Sequence, residues 1–226
     1  MKKILMFVNV DWFFLSHREI IAKEAMNREY SMRVFTGFTM EHDIYPSKDG
    51  YGLHKSPISR ASKGLSNFFS EILRTHILIK REKPDLIHAV TIKPILILGL
   101  LCRFNNIPFV GAISGLGPVF SQSSLISKIR FKIVTLLYKF IFGAGSSVAI
   151  CQSDHDREVL LSSKIIEESK IYLVNGSGVD LKKFSPIYTI KEEKYVLMAS
   201  RILREKGVKE FCEASELLKI NHNFDL

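Results

Sequence analysis

In three places in this chain, residues able to bind or polarise a ligand stand just past or within an apolar run. His17 and Arg18 follow the run Ile4–Val10, His88 lies within Leu86–Val90, and Ser114, Gly115 and Gly117 follow Ile107–Ile113. An imidazole or a guanidinium can hydrogen-bond a sugar hydroxyl or a phosphate, and glycines let backbone N–H groups approach such a ligand closely. Each group has a plainer alternative. His88 could be a satisfied core histidine, His17 and Arg18 the neighbours of a helix start at Ser16, and the glycines a tight turn. Further on, Arg201 and Lys206 precede a helical pattern over Gly207–Lys219. Read from the residues alone they are an exposed basic helix start.

The elements that must hold these residues follow from the apolar spacing. Ile4–Val10 reads as a strand, Ser16–Arg28 as a helix and Met32–Thr36 as a strand. Tyr51–Ile58 is a weaker strand, and Leu65–Lys80 is a helix with Leu65, Phe68, Phe69, Ile72, Leu73, His76 and Ile79 on one stripe. Next come Leu86–Val90, a helix from Pro94 to about Phe104, the strand Ile107–Ile113 and the long helix Ser121–Phe142. Ser147–Ile150, a helix Asp154–Ser162 opening on Ser153 as N-cap, and Ile171–Val174 close the series. Continuous apolar strands separated by helices predict an α/β fold with a doubly wound parallel sheet. Such a sheet binds ligands at the carboxyl ends of its strands. A turn-rich break, Asn175–Pro186, precedes a new strand, Tyr195–Ala199, and the helix Gly207–Lys219. The expected organisation is a Rossmann-like domain over residues 1–186 and the first elements of a second Rossmann-like domain over 187–226. One strand and a helix cannot bury a core alone, so the second domain reads as incomplete.

Lys and Arg number 32 against 23 Asp and Glu, which leaves +9. That excess suits an anionic partner such as nucleic acid, a phosphorylated small molecule or an acidic lipid surface, and suits a merely solvated basic surface equally well. Cys102, Cys151 and Cys212 are odd in number and widely spaced. They predict neither a disulfide framework nor a zinc site. No metal is expected, on the reading that the chain holds neither an Asp-x-Asp nor a His cluster. Met1-Lys2-Lys3 and the short run after it read as a first strand rather than a secretory signal, because Asn9 and Asp11 interrupt the run. Ile92–Leu101 and Ile133–Phe142 are too short to span a bilayer. The expected setting is therefore the cytoplasm. The turn Asp11–Arg18 contains no glycine, which excludes the close pyrophosphate approach of a nicotinamide enzyme. Along Ser123–Phe142, Lys128, Arg130, Lys132 and Lys139 are interleaved with apolar residues. This pattern fits a helix on an anionic membrane surface, or a core helix with one wet face.

Several segments, in order, carry a family resemblance: Phe13-x-x-x-His17-Arg18, Pro84-Asp85-Leu86-Ile87-His88, Ser114-Gly115-Leu116-Gly117, Asn175-Gly176-x-Gly178-Val179-Asp180 with Phe184-x-Pro186, and Ser200-Arg201 with Lys206-Gly207-Val208. Together they span nearly the whole chain, and in this order the chain resembles family 4 of the retaining GT-B glycosyltransferases. The resemblance implies transfer of a hexosyl or N-acetylhexosaminyl group from a sugar nucleotide, UDP-linked, to a polyprenyl-diphosphate-linked saccharide in surface polysaccharide or lipopolysaccharide assembly. It implies that Arg201 and Lys206 bind the donor diphosphate, and that His17, Arg18, His88, Ser114, Gly115 and Gly117 line the acceptor cleft. It further implies no cofactor, no nucleic acid, and a peripheral place on the anionic inner face of the cytoplasmic membrane.

This sequence departs from the family pattern twice. Ser114-Gly115-Leu116-Gly117 stands where many members have a histidine, so no catalytic residue is assigned. The family's Glu-x7-Glu element has no counterpart, so the 226 residues alone are expected to be inactive. Two other readings stay open. One is a truncated, non-catalytic remnant or partner subunit of such an enzyme. The other is a basic nucleic-acid-binding module, although no interleaved aromatic and basic stacking surface is present.

Overall fold

A computed structural model of the chain describes residues 1–39, 50–59, 64–116, 125–143, 145–181, 184–186, 196–200 and 202–222. The strands are β1 (Lys3–Val8), β2 (Ser31–Thr36), β3 (Gly52–Lys55), β4 (Leu86–Val90), β5 (Phe109–Ile113), β6 (Ser147–Cys151) and β7 (Ile171–Leu173). All pair in parallel, in the order β3-β2-β1-β4-β5-β6-β7. The helices are α1 (Asp11–His17), α2 (Glu19–Asn27), α3 (Leu65–Glu82), α4 (Ile92–Asn105), α5 (Leu125–Phe142), α6 (Asp154–Ser162) and α7 (Val208–His222). The doubly wound parallel α/β sheet is the expected one. Its chain reverses direction between β1 and β4, which makes that pair the topological switch point.

The two-residue period of a strand divides each central strand between two cores. Leu5 and Phe7 of β1 and Ile87 and Ala89 of β4 join Ile79, Ile95, Leu98, Tyr138 and Ile141 from α3, α4 and α5. Met6, Val8, Val34 and Val90 point the other way and join Phe14 and Ala22 of α1 and α2. Between its charged ends α4 is apolar nearly all round because it lies between α3 and α5 and over the sheet. At the amino ends of β1 and β2, the buried Glu82 carboxylate takes Arg33 Nη1 at 2.7 Å and Lys3 Nζ at 3.6 Å. Lys3 also donates its backbone N–H to Asp85 at 2.7 Å, which ties β1 to the turn before β4.

Beyond shifts of a few residues at element ends, the elements differ from the expected ones in three places. The helix expected to open at Ser16 starts at Asp11 and breaks at Arg18, whose φ of −127° interrupts the spiral between α1 and α2. The single stripe expected on α3 divides. Phe68, Ile72 and Ile79 pack inward, whereas Phe69 and Leu73 stand exposed with Ile77; the side chain of Leu65 lies outside the described residues. Of the strand expected over Tyr195–Ala199, residues 196–199 are described and carry no regular structure, and Tyr195 lies outside the described residues. The chain forms two compact units, Met1–Asp180 and Leu181–Leu226. The first contains the whole sheet, and the second contains α7.

Candidate functional site

Polar residues in and just beyond β1, β4 and β5 lie around the switch point. Asp11 is the first residue of α1, two positions beyond the turn that leaves β1, and it is buried. Its carboxylate accepts from Thr39 Oγ1 at 2.6 Å, Trp12 N at 2.8 Å and Thr39 N at 3.0 Å. Burial pushes the Asp11 carboxyl up, but the bonds from Thr39 and Trp12 outweigh it and hold the group below the usual carboxylate range. Asp11 therefore clamps the chain leaving β2 against the start of α1.

Arg18 turns inward from the break between α1 and α2 and is only 3% exposed. Its Nη2 donates to Ser114 Oγ at 3.0 Å, just past β5, and its guanidinium lies 5.8 Å from the centre of the Phe13 ring. Burial alone lowers its pKa. His88 of β4 lies on the same side of the sheet as Val90 and is buried. Burial, and then the Arg18 charge, hold its imidazole down at about 4, so it is neutral at physiological pH. Thr91 ends β4 with φ 75° and ψ 161°, a backbone region that glycine alone adopts readily and that costs a threonine on the order of 1–3 kcal/mol. Gly115 follows Ser114 with φ 128°, and an added Cβ there would meet nothing within 4 Å.

Two of the expected cleft groups thus join in a direct bond, Arg18 with Ser114, and His88 feels the Arg18 charge. His17 does not join them. It is exposed, stacks on Phe13 with centroids 4.7 Å apart, and has Nδ1 2.6 Å from Ser16 Oγ. Gly117 and Arg201 lie outside the described residues. Lys206 is exposed at the end of a short 3₁₀ turn, Arg204–Lys206, in the second unit. Asp11, Thr39 and Thr91 were missed by the sequence reading. Asp11 carried a signal, a small acid at a strand-to-helix junction. Thr91 carried none, because a β-branched residue is the last expected at a positive φ.

The expectation of no metal passes over one Asp-x-Asp spacing, Asp154-His155-Asp156. These residues form the first turn of α6, where Ser153 Oγ accepts from Asp156 N at 3.2 Å. Acids there suit the positive end of the helix dipole.

The neutral state of His88 predicts a pH effect. Its folded pKa of about 4 lies below the 6.5 of a free imidazole, so the unfolded chain binds the proton more readily. The stability this gives is present above about pH 6.5 and is lost as the pH falls toward 4, by roughly 3 kcal/mol for complete burial. Urea unfolding at pH 7 and pH 4 should therefore show a smaller loss in His88→Gln than in the parent. An equal loss in both would place the acid sensitivity in other groups.

Two helix surfaces on the first unit combine apolar and basic residues. On α5, Val134, Tyr138, Ile141 and Phe142 are buried, whereas Ile129, Ile133, Leu136 and Phe140 are 43–69% exposed. Lys128, Arg130, Lys132 and Lys139 are exposed on the same helix. Phe104, at the end of α4, packs its exposed ring 5.7 Å from that of Phe140. On α3, Phe69, Leu73 and Ile77 repeat the pattern beside Arg74, Lys80 and Arg81. The only acids on α3, α4 and α5 are Glu71 and Glu82, and both are buried. A cavity of about 640 Å³ lies near α3, lined by Phe35, His54, Lys55, Arg74, Ile77 and Arg81 among others, away from the switch point. Among the described residues no helix is long and apolar enough to cross a membrane.

Comparison with known proteins bears on the same half of the chain. Residues 3–152 match the sequence profile of a family described as Glycosyl transferase 4-like. Over 143 residues, 56% of this chain and 37% of the relative, the chain is 32% identical to the N,N'-diacetylbacillosaminyl-diphospho-undecaprenol alpha-1,3-N-acetylgalactosaminyltransferase of Campylobacter jejuni. Over 166 residues, 67% of this chain and 41% of the relative, it is 25% identical to the UDP-Gal:alpha-D-GlcNAc-diphosphoundecaprenol alpha-1,3-galactosyltransferase of Escherichia coli. The chain thus spans about two fifths of the length of these relatives. Among solved structures, sucrose-phosphate synthase from Thermosynechococcus elongatus shares the fold with a TM-score of 0.58 at 13% identity, over 83% of this chain and 51% of that one.

Proposed function

Because this chain belongs to the glycosyl transferase 4-like family, we propose that it serves the transfer of a hexosyl or N-acetylhexosaminyl group from a UDP-linked sugar to a lipid-linked saccharide, with retention of configuration, in surface polysaccharide or lipopolysaccharide biosynthesis. Both relatives are named for transfer to undecaprenyl-diphosphate-linked sugars, which supports this substrate class. The observation that carries the reading is the polar cluster at the switch point. Arg18 is buried and bonded to Ser114, and its charge is felt by the buried His88, at the strand ends where a doubly wound sheet collects ligands. In this reading the cluster and Gly115 belong to the acceptor side, while Arg201 and Lys206 neutralise the donor diphosphate. No side chain is assigned as base; the departing β-phosphate oxygen takes the proton of the attacking acceptor hydroxyl as the bond from the anomeric carbon to that oxygen breaks. The test incubates UDP-sugars and an undecaprenyl-diphosphate-linked monosaccharide with a complete two-domain protein that contains this chain. The lengthened lipid-linked product is expected, and its absence with every donor would overturn the reading.

The same reading puts the protein peripherally on the anionic inner face of the cytoplasmic membrane. The support is the exposed apolar residues of α5 beside its four cations, a surface a core helix would not keep. Co-sedimentation with anionic vesicles should weaken as salt rises, because exposed charges are screened within about 10 Å at ~0.1 M. Changing Lys128, Arg130, Lys132 and Lys139 to Gln should remove most of the bound fraction. Undiminished co-sedimentation of that variant would exclude α5 as the contact.

A further inference from the structure

The switch point holds buried polar atoms that have no hydrogen-bond partner among the described residues: Arg18 Nε, His88 Nε2 and Thr91 Oγ1. Arg18 and His88 are more than nine-tenths buried as whole residues. Among the described residues no carboxylate pairs with Arg18, and the one hydrogen bond of its guanidinium is to Ser114 Oγ. A guanidinium withdrawn from water without a counter-ion is costly to hold, and an arriving anion would satisfy both its charge and its free N–H. The groups also belong together. Thr91 donates its backbone N–H to Ala112 O at 3.2 Å, so the end of β4 is tied to β5 two residues before Ser114. Thr91 is the N-cap of α4, whose amino end adds a favourable dipole for negative charge. Ser114 is exposed, and a Cβ added at Gly115 would meet nothing within 4 Å, so the cluster reaches the surface at Ser114.

We propose that Arg18, Ser114, His88 and Thr91 form a socket for one phosphate of a sugar diphosphate. Arg18 supplies the charge and a planar fork of donors, while Ser114 Oγ, His88 Nε2 and Thr91 Oγ1 supply single hydrogen bonds. This names the ligand chemistry of the edge read above as the acceptor side, and it rests on that reading. A lipid-linked acceptor and a nucleotide donor both carry a diphosphate ester, so the test must separate them.

The 226-residue chain is titrated calorimetrically with inorganic pyrophosphate, geranyl diphosphate and UDP at about 0.15 M salt, where loose surface binding is screened. Pyrophosphate and geranyl diphosphate should bind. Arg18→Met should weaken both by at least about tenfold, the scale of one lost charge-assisted contact. Ser114→Ala, at an exposed position that leaves the core intact, should weaken them severalfold. The variant with the four α5 cations changed to Gln should bind as the parent does. UDP bound with the same dependence on Arg18 would support the socket and assign its ligand to the donor, which overturns the acceptor reading of this edge alone. No binding of any probe, or binding unchanged in both Arg18→Met and Ser114→Ala, would overturn the socket. It would leave the transferase proposal standing, since that is judged by product formation.

Discussion

Lys206→Ala, assayed within a complete two-domain protein, should lower kcat by about a hundredfold, the on-the-order-of-3 kcal/mol effect of losing one contact to charge that develops in the transition state. A departing nucleoside diphosphate gains negative charge as its bond to the sugar breaks, so a fixed cation helps more at that moment than in the bound substrate. The loss should accordingly fall on kcat more than on affinity for the sugar nucleotide. Folding should be intact, because Lys206 is exposed at the end of a 3₁₀ turn and such a lysine contributes little to stability. Arg201→Lys should recover only part of the rate, since a point charge does not reproduce a two-pronged guanidinium contact. Near-normal kcat in Lys206→Ala would mean that these residues are surface charges.

Phe142→Ala should destabilise the first unit by about 3–5 kcal/mol, read as a lower urea midpoint at unchanged slope. The Phe142 ring closes α5 onto the sheet. It is fully buried, 6.0 Å from the Phe109 ring and 5.7 Å from the Tyr138 ring, which it meets edge-on at 90°. The sheet makes room for it at Gly111, where an added Cβ would come within 2.8 Å of Phe142 Cζ and 3.3 Å of Phe109 Cε1. Gly111→Ala should therefore cost about 1–3 kcal/mol by overpacking. In the Phe142→Ala background the new methyl enters the vacated space, so the double variant should be more stable than the sum of the single losses requires. Strict additivity would show that the two sites do not share this space.

Much of this architecture was legible because burial on both faces leaves a plain mark. Leu86–Val90 and Ile4–Val10 read as strands from apolar continuity, the second ending two residues earlier in the structure, and Ser153 marked the start of α6 to the residue. The outward apolar residues of α3 were not legible. Phe69 and Leu73 look like core by type, and only the position of the sheet reveals that Phe68 and Ile72 take the inner side. At the site, the placement of Arg18, His88 and Ser114 in or after the apolar runs could be read from the pattern. That Arg18 turns inward while its neighbour His17 turns out depends on a backbone break at one residue, which residue types alone do not encode. The strained Thr91 is likewise a product of tertiary context.

The place of β1 between β2 and β4 also bears on how the chain is made. β1 leaves the ribosome before the other strands of the sheet and soon meets β2, but its other neighbour follows much later; the bond from Lys3 to Asp85 spans 82 positions. At about 5–20 residues per second, the nascent chain carries an unpaired apolar strand edge for roughly 4–16 s. The acids that receive Lys3, Glu82 and Asp85, emerge just ahead of β4. Co-translational assembly of this sheet must therefore wait on one late, non-local pairing, and until then the growing chain is a natural client for chaperones.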